Sequence, residues 1–388
     1  MAGAGEAPVI TCAEVGSFAW SVLAKRHPAL VRQVREATPY PPELARALDV
    51  LLRECEAGVI TPLPEGAHDG DRWAAWSTGR LGRTWFEVPF LWSESYFYRR
   101  LLEALGYFRP GPWQGVDPFA PFKRAELDSP EVAEELAALD TVSQLPPDEQ
   151  DQALLTGALW GNKADLGFRI SSGDPGGKGE HLVADDSAAM WRHLVSSPPG
   201  AVYVLADNAG RELIPDLLLV DHLLHTGRAA AVVLHVKPQP YYVSDATTAD
   251  VLDCVRRIAD APGHAGIVGG RLRDALTGGR LAVHAHPFSC APLPYAEMPD
   301  DLRADLAQAT LTISKGDLNY RRLVGDRRWP GTTPFADLTA GFPTPVLALR
   351  TLKSDVAVGL APDTLAELEA SGEEWRTSGT YAVMHFRG

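Results

Sequence analysis

Apolar runs that end in small polar clusters are the most regular feature of this chain. Positions 201–206 (Ala-Val-Tyr-Val-Leu-Ala) form a short, mostly apolar run without polar alternation, the pattern of a strand buried on both faces. Asp207 and Asn208 follow at once, and then Gly210, which permits a sharp turn. Positions 211–226 place Leu213, Ile214, Leu217, Leu218 and Leu224 along one side and stop at Gly227, which predicts a helix. Asp207 and Asn208 therefore sit at the carboxyl end of a strand, where open α/β sheets bind their ligands.

The same unit recurs downstream. A second apolar strand is predicted at 229–236, with Asp245 at the end of its polar tip and a helix at 247–258. Further strands are expected at 281–286, at 309–314 leading into Lys315, at 346–350 leading into Lys353, and at 380–386, which closes the sheet. Four polar tips separated by helices indicate a mostly parallel, doubly wound sheet with one active edge.

Upstream the period changes to that of helices. Positions 12–108 read as helical, and Pro41 and Pro42 precede a clear helix at 44–56. Aromatic side chains are densest at 85–105, where Glu94, Tyr98 and Arg99 are the members able to face a cavity rather than the core. A Pro- and Gly-rich stretch at 106–124 predicts a self-packed loop. A turn at 145–149 divides the chain into an N-terminal helical region, 1–145, and a catalytic α/β/α domain, 146–388. The glycine cluster 173–179 fails as a phosphate loop, because Ser172 and Gly179 stand where GxxxxGK[ST] requires Gly and Ser or Thr.

Composition narrows the function. The 388 residues are 45% hydrophobic and 22% charged, close to globular averages, so a substantial core is expected. A net charge of −14 argues against nucleic acid and anionic membrane surfaces. No run of about 18 apolar residues is present to span a bilayer, and the N-terminus lacks a signal-peptide pattern. Four scattered cysteines fit buried thiols in a reducing cytoplasm, the expected location.

Asp207, Asn208 and Asp245 are oxygen donors at the ends of two consecutive strands, and parallel neighbours joined by one helix are usually adjacent. Two carboxylates and an amide suit a hard divalent ion; alternatively the same residues merely cap the following helices. Lys315 and Lys353 stand at two other strand ends, where they would hold a phosphate or simply be solvated. Asp317 and Asn319 read sugar hydroxyls or shape a turn, and Glu212 orients water or favours the helix dipole. His284 and His286 face one side of a strand with no carboxylate at metal-ligand spacing, and read as structural. No GxSxG supports serine hydrolysis.

Six segments in order resemble a known family. They are 206–210 (Ala-Asp-Asn-Ala-Gly), 243–245 (Val-Ser-Asp), 315–320 (Lys-Gly-Asp-Leu-Asn-Tyr), 350–353 (Arg-Thr-Leu-Lys), 160–166 (Trp-Gly-Asn-Lys-Ala-Asp-Leu) and 89–100. The ending 379–383 (Gly-Thr-Tyr-Ala-Val) agrees as well. Together they look like the metal-dependent damage-control phosphatases, and the Arg-Thr-x-Lys signature resembles the subfamily also called acidic-residue methyltransferases. The resemblance implies a three-layer α/β/α sandwich with an N-terminal helical part. It also implies a divalent cation, Mn²⁺ foremost and otherwise Mg²⁺, Co²⁺ or Ni²⁺, on Asp207, Asn208 and Asp245, with Glu212 beside it. Substrate binding falls by the same resemblance to Lys315, Gly316, Asp317, Leu318, Asn319, Tyr320, Lys353 and Asn162.

The implied reaction is hydrolysis of small phosphomonoesters such as fructose 1-phosphate or fructose 6-phosphate. The implied partner is a small phosphorylated metabolite, with no nucleic acid and no membrane. The second reading is an S-adenosylmethionine-dependent carboxyl methyltransferase, although no strand ends in the acidic, glycine-spaced loop that usually receives that cofactor. A third is a sugar-phosphate binder or a relative recruited to another metal-dependent reaction.

Overall fold

A computed structural model describes residues 7–161 and 181–388, so Asn162 and the glycine cluster 173–179 lie outside the described residues. Seven strands form one sheet: β1 (His181–Asp185), β2 (Ala201–Leu205), β3 (Ala231–Val236), β4 (Leu281–Ala285), β5 (Ala309–Lys315), β6 (Val346–Thr351) and β7 (Tyr381–Arg387). Their spatial order is β1-β7-β6-β5-β2-β3-β4. The five strands from β6 to β4 are mutually parallel, whereas β7 runs antiparallel to β6 and β1 runs parallel to β7.

Chain order reverses at β2. The chain builds β3 and β4 outward on one side of β2, then returns to lay β5 and β6 on the other. A crevice opens outside the carboxyl ends of strands that part in this way. The two strand ends that meet there belong to β2 and β5.

Each strand feeds two cores because successive side chains point to opposite faces. Val202 and Val204 of β2 join one core with the helices Pro147–Trp160, Leu213–His225, Thr248–Ala259 and Gly263–Thr277. Tyr203 and Leu205 join the other, which also contains side chains of the Pro42–Ala57 and Phe90–Ala104 helices. The result is the expected three-layer α/β sandwich, with the N-terminal helices packed directly onto one sheet face.

Polar contacts fix that docking. Asp326 Oδ2 accepts from the Leu91 amide at 3.1 Å and the Ile10 amide bonds the Asp326 carbonyl at 3.3 Å. Arg321 divides its guanidinium between Asp326, at 2.8 Å from Nε, and Glu94, at 3.0 Å from Nη1. All four cysteines are buried free thiols.

Three local expectations need correction. β7 does not close the sheet, because β1 pairs along its far side. β1 escaped the apolar pattern because its side chains are largely solvent-facing, with none fully buried. The stretch 106–124 is not all loop, since a helix begins at Ala120 and runs to Leu127.

His27 illustrates the electrostatic cost of this packing. Its ring stacks on Phe97 with centroids 3.7 Å apart, and both nitrogens are buried without a hydrogen-bond partner. Burial drives its pKa from 6.5 down to about 3, so the folded protein binds this proton less readily than the unfolded chain. The contribution to stability is therefore complete above pH 6.5 and is lost as the pH falls towards 3. Urea unfolding at a series of pH values should show the parent losing up to about 1.4 kcal/mol per pH unit more than His27→Leu across that window. Parallel pH profiles would refute the assignment.

Candidate active site

The chain leaves β2 through Ala206, whose amide bonds the His235 carbonyl at 2.9 Å and so extends the β2–β3 ladder by one residue. Asp207 and Asn208 come next, and the β3 side answers them. The Asp207 carbonyl accepts from the Ala246 amide at 2.9 Å, the Ala209 amide bonds the Ser244 carbonyl at 2.6 Å, and Asn208 and Asp245 form an antiparallel bridge. Asp245 Oδ2 accepts from the Tyr242 amide at 2.9 Å, which folds the tip back on itself. Asp207, Asn208 and Asp245 are therefore neighbours, as adjacent parallel strands predict.

Asn208 Nδ2 donates to Glu212 Oε2 at 2.9 Å, leaving the amide oxygen for a cation. Glu212 closes the 3-10 turn Gly210–Glu212, ahead of the helix Leu213–His225. The turn also packs tightly against Gly161, where a Cβ would stand 2.6 Å from Glu212 Cγ.

These groups line a cleft of 560 Å³. Six carboxylates face it (Glu94, Glu126, Asp207, Glu212, Asp245 and Asp317), against three cations, Arg26, Arg321 and Lys353. Burial, with Glu212 and Asp245 beside it, pushes the Asp207 carboxyl well above its usual pKa, while Lys237 and Lys353 pull the other way. Burial and Glu212 likewise raise Glu126. Glu212 acts most strongly on Lys353, raising its pKa against the opposing effect of burial. Lys353 stays protonated at neutral pH.

The stretch 315–320 is divided by the structure rather than presented whole to the cleft. Asp317 and Leu318 line it. Burial would raise the Asp317 carboxyl, but Arg350 and Arg321 outweigh it and hold the pKa below its usual value. Arg350 is completely buried and reaches Asp317 at 2.7 Å, and Ser354 donates to the same carboxylate oxygen at 2.9 Å. The Arg of the Arg-Thr-x-Lys signature thus positions Asp317 and braces the turn that carries Lys353.

Lys315 points elsewhere. Its ammonium is buried against Asp216 at 2.9 Å and donates to the Ala158 carbonyl, beneath the sheet. Burial, relieved in part by Lys315, leaves the Asp216 pKa at about 7. Asn319 is a strut: Nδ2 donates to the carbonyls of Ala206 (3.1 Å) and Lys315 (2.9 Å), and Oδ1 accepts from Tyr295 at 3.0 Å. Tyr320 is buried against His385, 3.1 Å from Nδ1. Glu94 and Tyr98 do face the cleft, whereas Arg99 is taken up by Asp69 and Glu103.

Gly316 explains why these elements meet so closely. Its φ is +81°, a left-handed conformation, and a Cβ there would stand 1.8 Å from Asp207 Oδ2. Only glycine lets the β5 turn approach the β2 carboxylate.

Sequence reasoning did not single out Glu126, Arg26 or Arg321 as cleft residues. Arg321 directly follows the 315–320 motif and was within reach of it. Glu126 and Arg26 carry no local signal, since each arrives from a distant helix.

Comparison with known proteins identifies the family. The family described as the damage-control phosphatase ARMT1-like domain matches residues 22–368. Damage-control phosphatase ARMT1 of Danio rerio is 33% identical, with 78% of this chain and 74% of the relative aligned. That of Mus musculus is also 33% identical, covering 85% and 83% respectively. Among solved structures, a DUF89 family protein from Pyrococcus horikoshii superposes with a TM-score of 0.52 at 16% identity, covering 95% of this chain and 98% of the other. That likeness concerns the fold.

Substituting Gly316→Ala should weaken divalent-cation binding measured by calorimetry, because Asp207 must move. Gly279 provides the control, since its φ is +74° with nothing within 4 Å of a new Cβ. Gly279→Ala should show only the backbone penalty, roughly 1–3 kcal/mol, with metal affinity intact. Equal metal affinity in the two variants would contradict the close-approach argument.

Proposed function

This chain belongs to the damage-control phosphatase family of ARMT1-like domains, and we propose that it hydrolyses small sugar phosphates in the cleft between β2 and β5. The observation that carries the proposal is the cleft's donor set: Asp207, Asn208 and Asp245, held side by side among an excess of carboxylates. A phosphate dianion is repelled by such a cleft unless a cation intervenes. All-oxygen donors with two carboxylates fit a hard divalent ion such as Mn²⁺ or Mg²⁺. Bound there, that ion would polarise a phosphoryl oxygen and offset negative charge.

The remaining roles belong to the chain itself. Lys353, kept charged by Glu212, meets the phosphoryl oxygens as charge spreads over them. Glu212 orients the attacking water, and its own position is set by the hydrogen bond from Asn208. Asp317, an acceptor fixed by Arg350, binds a sugar hydroxyl, and Glu94 and Tyr98 offer polar groups along the same wall. Fructose 1-phosphate and fructose 6-phosphate match this combination of one phosphate with several hydroxyls. Lys315 supports the site from below through Asp216 rather than touching substrate.

Phosphate release from both sugars should require added Mn²⁺, Mg²⁺, Co²⁺ or Ni²⁺ and cease in excess chelator. Asp245→Asn should remove nearly all of it. Lys353→Ala should lower kcat by roughly 10²- to 10³-fold, the cost of losing one charge-stabilising donor. Full turnover in chelator would sink the proposal.

A further inference from the structure

A second group of metal-ligating side chains lies on the N-terminal-helix face of the sheet. His235 on β3 and His284 on β4 are direct cross-strand partners, and Asp305 reaches them from the helix Asp300–Leu306. Among the described residues, this is the one group of three His, Cys, Asp or Glu side chains whose ligand atoms all lie within 4.8 Å of one another.

The spacing separates two explanations. His235 Nε2 and His284 Nδ1 stand 3.5 Å and 3.6 Å from Asp305 Oδ2. Both distances exceed the 2.7–3.2 Å or so of a good N–H···O hydrogen bond. They approach the separation of about 3.3 Å between ligands placed at usual zinc distances around a tetrahedral ion.

Two further observations point to a ligand. His235 is buried, 4% exposed, and its Nε2 has no hydrogen-bond partner although it faces the carboxylate. An orphaned buried nitrogen is costly unless something completes it. Asp305 is already oriented: Tyr203 donates to Oδ1 at 3.2 Å, which turns Oδ2 towards the imidazoles. A carboxylate braced from behind is the usual support of a metal ligand. His286 is not part of this set, since it is occupied by Asp301 and by the Phe288 amide.

We propose that His235, His284 and Asp305 form a second metal site, for Zn²⁺ or a similar imidazole-binding divalent ion. Its mixed nitrogen and oxygen donors set it apart from the all-oxygen set at Asp207, and they disfavour Mg²⁺. His284 and Asp305 are partly exposed, which leaves room for entry and for a water as fourth ligand. Because β4 is the outer strand of the sheet, the ion would staple that edge to the Asp300–Leu306 helix.

The test uses the full chain carrying Asp207→Asn and Asp245→Asn, so the result does not depend on the phosphatase proposal. Co²⁺ should bind this protein at one equivalent, with the strong visible absorption of a four-coordinate ion, and Zn²⁺ but not Mg²⁺ should displace it. Adding His284→Ala or Asp305→Asn should remove that absorption. Tyr203→Phe should weaken affinity roughly 10- to 100-fold. Unchanged thermal unfolding without metal would show that the variants fold. The proposal is overturned if the Asp207, Asp245 variant binds no Co²⁺, or if folded His284→Ala and Asp305→Asn variants bind it as tightly.

Discussion

The carboxylate of Asp207 rests against the backbone of Gly316, and most of the cleft follows from that contact. A side chain of any size at position 316 would drive β5 away from β2 and widen the crevice at the reversal of strand order. Because the approach is so tight, the turn after β5 delivers Asp317 and Leu318 to the same space that the tips of β2 and β3 occupy. Asn319 then ties two strand ends together by donating to carbonyls from β2's extension and from β5.

Around that contact the protein also buries paired charge. Arg350 with Asp317, Arg321 with Glu94 and Asp326, and Lys315 with Asp216 are three buried ionic groups set close to the cleft. Such pairs contribute little net stability, because desolvation offsets most of their attraction. What they do supply here is geometry. Asp317 cannot rotate away while Arg350 and Ser354 hold it, and the Phe90–Ala104 helix cannot drift while Arg321 and Asp326 bind its first turns. The N-terminal helices form a wall of the site, not an appendage to it.

Much of this was legible in the sequence, and the failures have physical reasons. A buried parallel strand is largely apolar, so β2, β3 and β6 announced themselves, β5 did so through Leu311 and Ile313, and Asp207, Asn208 and Asp245 stood out as polar ends. β1 lies largely exposed on the far side of β7 and needs no apolar run, so it left no trace. Motif matching located 315–320 but not the division of labour within it. Lys315 is the last residue of β5 and goes beneath the sheet, whereas Asp317 lies past the left-handed turn at Gly316, in the helix Gly316–Val324, which redirects it into the cleft. The His235, His284 and Asp305 group was invisible for another reason: its members come from three elements, and the nearest carboxylate in space is distant in the chain.

The placement of β7 has a consequence for assembly of the protein on the ribosome. The last strand in chain order is an interior one, with β6 on one flank and β1 on the other. β1, made some 200 residues earlier, has no partner in the sheet until β7 has emerged and docked. The growing polypeptide must therefore carry β1 unpaired, and β6 with one open margin from its own emergence, until β7 arrives, exposing backbone groups that invite association with other nascent chains. Insertion of β7 is the event that seals it.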